Sequence, residues 1–100
     1  MNNTRPILDR GDIVRIRHIG SSYSRSMIYK GNIEDEYVFL EDGYKINNLR
    51  SWAFKEINID PKKELAEVDF HRSRLVIYEE GTEGFDDNYE LVLRLKEADD

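Results

Sequence analysis

The chain has no cysteine. That excludes disulfide staples, thiolate nucleophiles and thiolate metal sites, and it fits a reducing compartment. No apolar run approaches the roughly 20 residues needed to cross a bilayer. The first residues, MNNTRPILDRGD, lack the apolar segment of a secretory signal. We therefore expect a cytoplasmic protein with no membrane association. The Gly-x-Ser-x-Gly elbow, the phosphate-binding Gly-rich loop and the His-Glu-x-x-His helix are also missing. Without these motifs, we expect no enzymatic activity, no catalytic residue and no cofactor.

Metal ligands are sparse too. His18 and His71 are the two histidines. Asp69 and His71 suit one strand face, but two ligands do not make a zinc site. Asp86, Asn88 and Glu90 stand at alternate positions, as oxygen ligands for calcium can, yet the glycine and closing glutamate of an EF-hand loop are absent. No metal site is expected.

An overall excess of positive charge is missing as well. The net charge is -6, whereas a nucleic-acid-binding domain is expected to be basic. The charge is graded along the chain: residues 1–30 carry +4, residues 31–60 carry -4 and residues 61–100 carry -6. This asymmetry suits a solvated acidic surface or a basic partner.

What is present is a single domain's worth of β-forming sequence. One hundred residues make one domain, and the 39% hydrophobic content is enough for a modest core. Residues 1–10 form an arm in which Pro6 biases Arg5 toward extended backbone. In the segment 12–18, DIVRIRH, Val14 and Ile16 share one face and Arg15 and Arg17 the other. Residues 21–26, SSYSRS, suit a loop. MIYKGNI, 27–33, is a second strand, with Gly31 as a bulge or bend. In EYVFLEDGYKIN, 36–47, two β-rich runs flank Asp42-Gly43, a tight-hairpin signal. Val38 and Leu40 fall on one face there, Tyr37 and Phe39 on the other. Residues 47–51 suit one helical turn, and WAFKEINI, 52–59, a fifth strand.

Beyond this, Asp60-Pro61 opens a short helix through KKELAEV. RLVIYEE, 74–80, is a strand and 81–88 a loop. YELVLRLK, 89–96, places Tyr89, Leu91, Leu93 and Leu95 at period two, so we favour a strand; a helix through Leu91, Val92, Leu95 and Ala98 is the alternative. Residues 98–100 are an acidic tail.

The residues GDIVRI, YKGNI, VFLEDGYKI and NLRSW, in that order, resemble the SH3-like small barrels of the Tudor and KOW types. The expected fold is mainly β: a five-stranded barrel over 12–59, extended over 60–97 by a short helix and a β-hairpin. The resemblance implies binding of peptides, modified side chains or nucleic acid rather than chemistry. It also raises an aromatic cage, for which Tyr23, Tyr29, Tyr44 and Trp52 are the candidates by type.

Two sets of binding residues follow. The first grips a protein partner with a basic surface, using Tyr23, Arg25, Tyr44 and Trp52 together with the acidic residues Glu79, Glu80, Glu83, Asp86 and Asp87. A sharp version is a small acidic inhibitor that mimics nucleic acid, as some phage proteins do. The alternative is a nucleic-acid face built from Arg15, Arg17, Tyr23, Arg25 and Lys30, with arginines on phosphates and an aromatic for stacking. Trp52 either fills the core or caps a groove. Arg10-Gly11-Asp12 matches the integrin tripeptide but reads as entry to a strand. An exposed edge at 89–96 would also permit a homodimer.

Overall fold

The computed structural model describes residues 7–55 and 65–98. Six strands form one sheet: β1 (Ile13–His18), β2 (Ser24–Ile33), β3 (Glu36–Glu41), β4 (Lys45–Arg50), β5 (Leu65–Val68) and β6 (Val76–Tyr78). A 3-10 turn (Ser51–Ala53) follows β4, and helix α1 (Glu83–Ala98) closes the described chain. The strand order is β5-β1-β2-β3-β4-β6. All neighbours are antiparallel except β1 and β5, which run parallel.

Strands β1 and β3 form as their alternation predicts, and β2 and β4 include the expected runs at 27–33 and 45–46. Val14 and Ile16 are buried, and they point to the same side as Met27, Tyr29, Tyr37 and Phe39 to make the inner core. The rings of Tyr37 and Phe54 are 4.8 Å apart and those of Tyr29 and Phe39 5.7 Å, in tilted pairs. Val38 and Leu40 point the other way, into a second cluster with Ile46, Phe85 and Val92. The β2–β3 register shifts between Tyr29 and Gly31. There the backbone has φ 123°, and a Cβ on Gly31 would lie 3.1 Å from Leu95 Cδ1. The bulge and the missing side chain together admit α1 onto the sheet. The hairpin turns through Asp42, Gly43 and Tyr44, with Tyr44 N donating to Glu41 O at 3.0 Å and Gly43 at φ 87°. A positive φ at that third position is what a type II turn requires.

Several expectations are corrected. The sheet is open rather than a closed five-stranded barrel. Segment 65–68, expected as helix, is strand β5, and it occupies the edge of β1 that the fifth barrel strand would need. Its period-two pattern explains this: Ala66 and Val68 are buried opposite Ile16 and His18. Over 52–55 the expected strand is instead the end of the 3-10 turn and one bridge, Phe54 to Val68; residues 56–59, and the helix start expected at 60–64, lie outside the described residues. The helical turn placed at 47–51 falls later, because Asn47 and Asn48 are held in β4 by ladder pairing with β3. Ser24–Ser26, expected in a loop, open β2.

The largest change is in the last segment, where residues 83–96, expected as the end of a loop and a strand, lie in one helix, and no hairpin follows β6 among the described residues. Thr82 caps it: its Oγ1 accepts from Phe85 N at 3.2 Å. Glu83 and Asp86 stand in the first turn and Lys96 in the last, matching the helix dipole. Phe85 and Val92 are buried against the sheet, each side chain contributing about 1.5–3 kcal/mol by removal from water. Asn48 Nδ2 also donates to Asn88 Oδ1 at 3.3 Å. The helix packs over β2, β4 and β6 and leaves the outer face of β1 uncovered.

Candidate functional site

The outer face carries one apolar row across the strands. Ile13 pairs with Ile28, Ile28 with Leu40, Leu40 with Ile46 and Ile46 with Tyr78. Helix α1 seals the far end, where Ile46 is buried. The near end emerges into the open, where Ile13 is 54% exposed. Tyr23 and Tyr44, 70% and 61% exposed, stand at the same end. Together with Ile28 and Leu40 these residues line a groove of about 630 Å³.

Tyr44 takes a left-handed backbone, φ 63°, which costs a non-glycine residue about 1–2 kcal/mol. A bulky residue in that conformation is an outlier of the kind that clusters at functional positions. Asp42 and Gly43 form the adjoining rim. Lys45, next along the chain, lies 3.8 Å from Glu79, which links the hairpin to the exposed acidic corner of Glu79, Glu80, Glu83, Asp86 and Asp87.

The structure thus brings Tyr23, Arg25 and Tyr44 together at one groove; none of the acidic set lines it, and Glu79 is tied to the hairpin through Lys45. Trp52 lies elsewhere, in a groove at the other end of β4 with Arg50 and Arg74. No aromatic cage forms from the four candidates, because Tyr29 is in the core, where burial pushes its hydroxyl up to about 12.

The arginines of the basic N-terminal set have partners. Arg17 Nη2 donates to Glu67 Oε2, Arg25 is 3.7 Å from Glu41, and Arg15 donates to Ser24 Oγ at 3.2 Å. Lys30 sits near Lys96 of α1, its pKa lowered by burial first and by Lys96 second. The integrin reading is removed: Asp12 is buried, and its Oδ2 accepts from Asp9 N at 2.9 Å. The calcium spacing also dissolves, since alternate positions in α1 do not share a face. Among the described residues, no three metal-ligating side chains converge, and no helix is long and apolar enough to cross a membrane.

Sequence reading missed the Arg50–Trp52–Arg74 groove. Its walls, Arg50–Trp52 and His71–Arg74, come from separate stretches of the chain, so no local cluster announces it. Fold and grooves define a small, mainly β protein with a helix on half of one sheet face. Comparison with family models, with curated proteins and with solved structures gives no match.

Proposed function

We propose that this is a non-enzymatic binding module that holds a protein partner on the uncovered half of its outer sheet face. The observation that carries this reading is the Ile13–Ile28–Leu40 row running out from beneath α1, with Tyr23 and Tyr44 beside it. An apolar centre, exposed tyrosines and a polar rim are the anatomy of a protein interface. The partner that fits has an apolar segment for the row and basic residues for the acidic corner at 79–87.

The test compares folded baits in pull-downs from cells of the source organism: wild type, Ile13→Glu, Tyr44→Asn and Arg50→Gln. The expected result is a protein retained by wild type and Arg50→Gln but lost from the other two. Retention of nothing by folded wild type, or equal retention by all four, overturns the reading. A wild type that sediments as a dimer while Ile13→Glu is monomeric would assign the row to a second copy of the chain instead.

A further inference from the structure

The second groove has a different chemistry. It is about 340 Å³, near the lower bound for small-ligand sites, and it shares no residue with the groove on the outer face. One wall is the end of β4 and the 3-10 turn, which present Arg50 and Trp52. The other is the turn between β5 and β6, which presents His71, Arg72, Ser73 and Arg74.

Both walls are fastened from behind. Ser51 Oγ donates to Asp35 Oδ1 at 3.0 Å and Ser51 N to Asp35 O at 3.0 Å. Asp69 Oδ1 accepts from His71 N at 3.0 Å, Asp69 O accepts from Arg72 N at 3.2 Å, and Asp69 Oδ2 lies 3.4 Å from Arg72 Nε. The turn is therefore shaped by Asp69, and its basic side chains are carried to the groove.

Three observations point to an anion. Three arginines line the groove with one carboxylate, Glu36; Arg72 is balanced by Asp69 behind it, and Glu36 Oε1 already accepts from Asn48 Nδ2 at 3.1 Å. Arg50 lies directly across the ladder from Glu36, yet among the described residues the guanidinium groups of Arg50 and Arg74 form no ion pair or hydrogen bond. Ser73 is 7% exposed, and its Oγ is buried with no hydrogen-bond partner. A buried hydroxyl left so is costly, and an oxyanion acceptor in the groove would relieve it. Guanidinium forks match phosphate oxygens two at a time. Trp52, 36% exposed on the same groove, adds a flat aromatic surface on which a base can stack.

We infer that this groove binds a nucleotide, its phosphate held by Arg50, Arg74 and Ser73 and its base stacked on Trp52. The nucleotide is either free or one unit of a single strand. The ligand is gripped at the opposite end of β4 from the protein-docking row, and the inference stands without that reading.

Trp52 is the chain's one tryptophan, so its fluorescence reports the site directly. The full chain is titrated at low salt with uridine monophosphate, with a short oligothymidylate and with inorganic phosphate. Saturable quenching by the first two, at least about ten-fold weaker in Arg50→Gln with Arg74→Gln, is the expected result, as befits loss of charged hydrogen bonds. Ser73→Ala should weaken binding with no loss of thermal stability, which a purely structural serine would not do. Tighter binding of the oligonucleotide identifies a strand, and equal binding a free nucleotide. No quenching by either ligand, or quenching unchanged in the double variant, overturns the inference. Inorganic phosphate binding as tightly as the nucleotide overturns the stacking on Trp52.

Discussion

Arg17 and Glu67 lie opposite each other across the parallel pair β1 and β5, and the guanidinium donates to the carboxylate. Lys55 stands on the other side of the same carboxylate at 3.5 Å. One acidic group thus joins β1, β5 and the segment after the 3-10 turn, where a single β-bridge, Phe54 to Val68, makes the other connection. The arginines of the first strand are in part internal fastenings of an acidic protein.

This contact gives stability a pH dependence. The hydrogen bond from Arg17, with the nearby charges of Arg17 and Lys55, holds the Glu67 carboxyl below its ordinary value despite some opposition from burial. On acidification the unfolded chain therefore takes up this proton first. The stabilisation is fully present above the ordinary glutamate range and is lost as pH falls through the folded value. Urea midpoints measured from neutral pH to about pH 2 should fall less steeply for Glu67→Gln than for wild type. Identical slopes would show that the contact does not contribute.

Helix α1 predicts a contrast that a strand would not. Phe85→Ala should destabilise by about 3–5 kcal/mol, because the ring is buried beside Val38 and Ile46. Leu93→Ala should change stability by less than about 0.5 kcal/mol, because Leu93 is exposed. In a period-two strand Leu93 would share a buried face with Leu91 and Leu95, and its loss would be large. Chemical denaturation of the two variants decides between them.

The same comparison shows what the sequence could and could not reveal. Much of β1 to β4 is local: alternation at 14–17 and 37–40, Gly31 and Asp42-Gly43 each announce their own structure, whereas Ser24–Ser26 and Asn47–Arg50 are held in strands by their ladder partners. Helix α1 was also written locally, in the cap Thr82 and the spacing Phe85, Tyr89, Val92. But Gly81 and Gly84 mimic a loop, and the leucines at 91, 93 and 95 fit two periods at once. Strand β5 is a different failure. Four residues carry little periodicity, and what makes them a strand is a parallel partner some fifty positions away. The groove at Arg50 and Arg74 is non-local in the same sense, since the β4–β6 pairing is what places its two walls together.

Gly84 marks a close approach between α1 and β6. A Cβ there would fall onto the ring carbons of Tyr78, which packs against the second core cluster. Gly84→Ala gains up to about 1 kcal/mol of helix propensity, yet it must displace a half-buried ring, and overpacking of this kind costs about 1–3 kcal/mol. The expected net effect is destabilisation, read as a lower urea midpoint. A stabilised variant would mean that α1 does not sit against Tyr78 as described.

Tyr44 separates folding from binding. Its left-handed backbone is unfavourable for tyrosine and free for glycine, and its side chain is largely exposed, so little packing is lost on removing it. Tyr44→Gly should therefore raise stability, by about 1 kcal/mol, an amount set by the relieved strain less the greater entropy of the unfolded glycine. The same substitution deletes one of the two exposed tyrosines of the outer groove and should reduce partner retention. A variant both more stable and less able to bind would show that the turn residue is kept for contact rather than for folding. A variant that loses stability would place the Tyr44 ring in a structural role, and the argument from strain would fail with it.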